Sequence, residues 1–156
     1  MLLNVKESCV SKAISRKLTP EIWSPPTGNN LKFNVDGTTR GKPGPTGIVG
    51  VLGNSQGRIL CLFSAFVGSH DSNADEVMAI HKACVLCASN HLLTGRNIEF
   101  ASDSLMAVSW INNASVIGNL KLINIIYDIR EHLQQFEGWT VIFNSRETNS
   151  EADILA

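Results

Sequence analysis

Residues 31–36 alternate between apolar and polar side chains, Leu31, Phe33 and Val35 against Lys32, Asn34 and Asp36. A period of two is the pattern of a strand with two different faces, and here it ends on a carboxylate. Beyond the turn-forming run Gly41-Lys42-Pro43-Gly44-Pro45, two further β-rich segments follow, Gly47 to Leu52 and Arg58 to Val67, separated by Asn54-Ser55-Gln56-Gly57. Three strands joined by such turns predict an antiparallel meander. From Asn73 to Leu93 the alternation stops. Val77, Ile80, Cys84, Ala88 and Leu92 recur at helical spacing instead, with small Ala79 and Ala83 permitting close packing. This change of period requires a fold in which helices cover a sheet.

The remaining pattern is consistent with that architecture. Asn97 to Ala101 reads as a short strand and Asp103 to Trp110 as a short helix. Leu122, Ile126, Ile129, Leu133 and Phe136 mark one face of another helix, Trp139 to Asn144 returns as a strand, and a last helix, cut short within this sequence, begins near Asn149. The order βββαβααβα implies an α/β fold with a mixed five-stranded sheet flanked by helices. Residues 1–30 mix charges with Ser and Thr and end in Pro25-Pro26-Thr27-Gly28-Asn29-Asn30, which reads as a linker or disordered lead-in. The folded domain is then expected over residues 31–156, one domain in a chain of 156 residues.

Charge excludes a sequence-wide basic field: 13 Lys and Arg face 14 Asp and Glu, so any nucleic-acid partner must be held locally. The opening Met-Leu-Leu meets Asn4, Lys6 and Glu7 at once, which denies a signal peptide its apolar stretch, and no apolar run is long enough to span a bilayer. A monomer in the cytoplasm or nucleus is expected, without a membrane partner. Its four cysteines, Cys9, Cys61, Cys84 and Cys87, are accordingly read as reduced thiols. Cys84 and Cys87 lie inside an apolar helix with no second ligand pair nearby, and His70, His81, His91 and His132 show no ligand spacing in the sequence, so packing is the expected role of all six.

Four acids stand out by position. Asp36 and Asp103 fall at predicted strand ends, where open α/β sheets present functional groups. Glu76 and Asp153 fall at the starts of predicted helices, where a carboxylate also interacts favourably with the helix dipole. Brought together, four carboxylates would repel one another unless a divalent cation neutralised them, and Mg²⁺ prefers such oxygen ligands.

Phe33-Asn34-Val35-Asp36-Gly37-Thr38, followed by Gly41-Lys42-Pro43-Gly44-Pro45-Thr46-Gly47, closely resembles the first motif of ribonuclease H. Ser72-Asn73-Ala74-Asp75-Glu76 resembles the second, Ala101-Ser102-Asp103-Ser104 the third, and Arg146-Glu147-Thr148-Asn149 through Asp153 to Ala156 the fourth. The lead-in Trp23-Ser24-Pro25-Pro26 and the Arg-Glu-x-Asn ending are similar to plant ribonuclease H-like domains related to retroelement reverse transcriptases. This resemblance implies metal-dependent endonucleolytic cleavage of the RNA strand of an RNA/DNA hybrid, with two Mg²⁺ ions, replaceable by Mn²⁺, on Asp36, Glu76, Asp103 and Asp153. It further implies that Gly37, Thr38, Lys42, Asn73 and Ser104 contact the substrate, with the 2′-hydroxyl distinguishing RNA from DNA. The chain departs from the pattern in carrying Phe143 where relatives commonly carry a proton-transferring His, and Lys42 where they carry Asn. A catalytically weak or silent retroelement-derived binding module with the same fold therefore stands as the alternative, and another member of the superfamily, such as an exonuclease or integrase, as a third.

Overall fold

The computed structural model describes residues 4–17, 25–39, 46–68, 72–113 and 120–144. Strands β1 (Asn4–Lys17), β2 (Leu31–Thr39), β3 (Thr46–Gly53) and β4 (Arg58–Gly68) precede helices α1 (Ser72–Ala88) and α2 (His91–Thr94). Strand β5 (Asn97–Ser102), helix α3 (Leu105–Asn112), a 3-10 turn (Leu120–Leu122), helix α4 (Ile123–Leu133) and strand β6 (Gly138–Phe143) complete the fold. The sheet order is β1-β4-β3-β2-β5-β6.

Strands β2, β3 and β4 form the expected antiparallel meander, and β5 and β6 add parallel to β2. Turn chemistry sets the β3–β4 hairpin. The Asn54 side-chain Oδ1 accepts from the amides of Gln56 and Arg58, both at 3.0 Å, and Gly57 takes the positive φ of 75° that an L side chain would resist.

Three sequence expectations need correction here. The lead-in expected as a linker over 1–30 contains a strand: β1 pairs antiparallel with β4 from Asn4↔Phe66 to Cys9↔Cys61 and, after a register shift, again near Ile14↔Ile59. Without it β4 would be a free edge, whose unpaired backbone groups template a further strand. Among the described residues of that lead-in, 27–30 form a turn, closed by the Asn30 amide on the Thr27 carbonyl at 3.1 Å. Cys61, opposite Cys9 in this register, is disulfide-bonded rather than reduced, whereas Cys84 and Cys87 are free and buried in α1 as expected. The helix expected to reach Leu93 also breaks. It ends at Ala88, and Asn90 starts α2 by accepting the Leu92 amide on its side chain at 2.9 Å. The last expected helix, from about Asn149, lies outside the described residues. Among the described residues no helix is long and apolar enough to cross a membrane.

One face of the sheet carries Leu31, Phe33, Val35, Ile48, Phe63 and Phe100 against Val77, Ile80 and Cys84 of α1 and Ile126, Ile129 and Leu133 of α4, all buried. Phe33 stacks on Phe100 with centroids 6.2 Å apart and tilts against Phe63 at 5.8 Å. The space for these rings comes from Gly50. A Cβ there would stand 2.3 Å from Phe63 Cε1 and 2.7 Å from Phe33 Cε1. Gly50→Ala is therefore expected to destabilise the protein by about 1–3 kcal/mol, the usual cost of overpacking a filled core. Urea unfolding checks it through a lowered midpoint at unchanged slope.

Candidate active site

Parallel pairing aligns the ends of β2 and β5. Val35 and Ser102 are register partners, so the residues that follow them, Asp36 in β2 and Asp103 just past the end of β5, come side by side at the same sheet edge. Helix α1 enters over this edge and brings Glu76, its fifth residue. One carboxylate oxygen from each of Asp36, Glu76 and Asp103 lies within 4.8 Å of the others. Asp36 and Glu76 are 1% and 4% exposed, and Asp103 is half-buried.

Two donors hold Glu76 in place. The Gly37 amide donates to its Oε1 at 2.9 Å, and the Ser102 hydroxyl donates to its Oε2 at 2.9 Å. Ser102 Oγ in turn accepts the Ser104 amide at 3.1 Å. Ser104 caps α3, its hydroxyl accepting the Ala107 amide at 3.1 Å and reaching Asn73 Oδ1 of α1 at 3.4 Å. Thus the serines flanking Asp103 tie β5, α1 and α3 together around it. The Gly37 contact requires glycine for space: a Cβ would lie 2.7 Å from Asp75 Cβ and 2.8 Å from the Asp75 carbonyl carbon.

The geometry thus unites three of the four acids named from the sequence. Asp153 and Lys42 lie outside the described residues. Gly37 and Asn73 border the cluster, Ser104 anchors its rim, and Thr38 continues β2 opposite Gly47. Phe143 is 48% exposed at the end of β6, in register with Ser102. The sequence motif that contains Ser102 assigns it no role of its own. The available signal was its place on the core-facing side of β5, immediately before the acid.

Burial pushes the Glu76 carboxyl up to about 7, a rise that a hydrogen bond to Asp36 opposes, the Asp103 charge adds to, and the Gly37 and Ser102 donors oppose. Crowded, partly desolvated carboxylates raise one another's proton affinity, and a divalent cation relieves the same repulsion. The donor set therefore fits a hard cation held by Asp36, Glu76 and Asp103.

A family model described as reverse transcriptase-like matches residues 34–156. Ribonuclease HI of Halobacterium salinarum is 28% identical over 135 residues, covering 86% of this chain, and the chain spans only 66% of the length of that relative. The crystal structure of RNase H1 from the same archaeon superposes with a TM-score of 0.72 at 27% identity, over 82% of this chain and 95% of that one. LC11-RNase H1, solved in complex with an RNA/DNA hybrid, gives 0.71 at 25% identity, over 80% and 92%.

The raised Glu76 carboxyl makes stability pH-dependent without metal. A carboxyl whose folded pKa exceeds its unfolded value of 4.5 binds its proton more tightly in the folded state. Its stabilising contribution is complete below about 4.5 and is lost as pH rises through about 7. In EDTA, the melting temperature should fall across that window. Glu76→Gln should flatten the fall and gain on the order of 1–3 kcal/mol relative to the parent at pH 8.

Proposed function

Since the chain belongs to the reverse transcriptase-like family, we propose that it is a ribonuclease H, an endonuclease that hydrolyses the RNA strand of RNA/DNA hybrids with divalent metal. The observation that carries this reading is the convergence of three buried or half-buried carboxylates at one sheet edge within 4.8 Å. Asp36, Glu76 and Asp103 would hold the cation, with Asp153 completing a site for two Mg²⁺ ions or for Mn²⁺ in their place. When bound, such ions generate the attacking hydroxide and stabilise the leaving oxygen. The residues around them orient and exclude. Gly37 and Ser102 fix the Glu76 carboxylate from both oxygens, and Ser104 and Asn73 hold the rim. Backbone at Gly37 and Thr38, with Asn73, would meet the 2′-hydroxyl that marks the RNA strand, and Lys42 would meet phosphate. The lead-in and ending motifs favour a plant retroelement origin, and a monomer suffices because the three clustered acids come from one chain.

Asp103→Asn removes a ligand charge at constant size, so it should abolish metal-dependent cleavage of a labelled hybrid while hybrid binding and melting temperature stay nearly unchanged. Duplex DNA should resist the parent protein. Cleavage by Asp103→Asn at the parental rate would rule out the assignment, and equal cutting of duplex DNA would point to another member of the superfamily.

One observation favours the silent or weak module as a second reading: an exposed Phe143 where a proton-carrying side chain is common in ribonuclease H. A general acid or base typically contributes on the order of 10²–10⁴-fold, and phenylalanine supplies none of it. Phe143→His should raise the single-turnover rate several-fold and add an ionisation near about 6.5. A folded variant with unchanged rate and pH profile would show that the missing histidine does not limit turnover.

A further inference from the structure

On another face of α1, groups that lie far apart in the sequence meet. His81 of α1 places Nε2 2.5 Å from Asp128 Oδ2 of α4. His132, one turn further along α4, places Nδ1 3.4 Å from the same oxygen and 2.7 Å from the Asp128 carbonyl oxygen. The two rings stand edge to face, with centroids 6.1 Å apart and an interplanar angle of 88°. The side chains are 32%, 44% and 24% exposed for His81, Asp128 and His132, so water and ions reach them. Five residues of helix separate His81 from Glu76, which is roughly 7.5 Å along the axis and 140° around it. The cluster is therefore not part of the acidic site.

We propose that His81, Asp128 and His132 form a second cation site, selective for Zn²⁺-class ions over Mg²⁺, that bridges α1 and α4. Two imidazoles and a carboxylate are the donor set of Zn²⁺ and its first-row neighbours, whereas Mg²⁺ takes oxygen ligands. Asp-x-x-x-His on α4 places two ligands on one helical face, and α1 supplies the third from a packed neighbour. The tautomer of His132 suits this role. A carbonyl oxygen can only accept, so Nδ1 carries the proton that bonds Asp128 O, and Nε2 is left with its lone pair. A cation would take the place of the proton that lies between His81 Nε2 and Asp128, and the neutral His81 ring would then carry its proton on Nδ1. Among the described residues only the acidic trio already holds three donor atoms within 4.8 Å of one another. The Asp128 carboxylate and the His81 ring would thus close by side-chain rotation on an ion at His132 Nε2, for which their exposure leaves room.

Calorimetric titration of the full chain with ZnCl₂, in excess MgCl₂ to occupy the acidic site, tests this. A Zn²⁺ site is expected that survives Asp103→Asn. His81→Gln and His132→Gln should each weaken it by at least about tenfold, since loss even of an outer partner typically costs 10–100-fold. Zn²⁺ should also raise the melting temperature of the parent but not of His132→Gln. Histidine ring resonances of the folded parent give a readout without mutation, with those of His81 and His132 shifting and that of His91 unmoved. Absence of Zn²⁺ binding, binding lost in Asp103→Asn, or unchanged affinity and resonances at His81 and His132 would overturn the proposal. Because none of these readouts uses hydrolysis, failure of the ribonuclease reading would leave them standing.

Discussion

Strand β2 and the start of α1 approach so closely at Gly37 that no side chain fits between them. The contact lets a strand amide reach the Glu76 carboxylate directly and sets that acid beside Asp36. The Val35↔Ser102 register then brings in Asp103 from β5. Asp36 and Glu76 thus sit on regular elements, and Asp103 follows directly on the end of β5, so the strand pairing and the helix start fix where the acids lie. Rigid support of this kind is what a metal site needs if its ligands are to stay within bonding reach.

Burying the Glu76 carboxyl, with the Asp103 charge nearby, costs free energy in the metal-free protein, and its raised proton affinity is the visible sign. The aromatic core beneath the site offsets that cost. Phe33, two residues after the start of β2, packs on Phe63 and Phe100, and Phe100 in turn meets Phe136 edge-on with centroids 6.0 Å apart. The opposite side of β2 is polar yet equally closed: Lys32 and Asn34 are 5% and 1% exposed, and among the described residues neither side-chain polar atom of Asn34 has a hydrogen-bond partner. Burial pushes the Lys32 amine down, and the Glu99 charge opposes that shift. A polar stripe leading to Asp36 along a buried strand face is unlike the apolar face behind it, where α1 and α4 supply the core.

Much of the fold was legible because periodicity is a local property. Alternation in 31–36 and helical spacing in 77–92 depend only on which neighbours share a face, so β2 to β6 and α1, α3 and α4 all form close to where the pattern puts them. Boundaries were less legible. The break between α1 and α2 turns on the Asn90 side chain satisfying one backbone amide, a competition the apolar pattern does not register. Strand β1 escaped notice because its charged, Ser-rich sequence has no distinctive face, and its order comes from pairing with β4.

By itself the sequence determined the element types, the apolar face of each, and, through four short motifs, which acids deserved attention. Tertiary structure alone decided which groups meet. Asp36 and Asp103 are 67 positions apart and become neighbours only because β5 pairs parallel to β2 rather than elsewhere in the sheet. His81, read from the sequence as a packing residue, and Asp128, 47 positions further on, share a hydrogen bond only because α1 and α4 lie against the same core. Ser102 acquires its hold on Glu76 in the same way. Local spacing fixes direction and burial, but distance between remote side chains depends on strand order and helix packing, which are settled by the whole core at once.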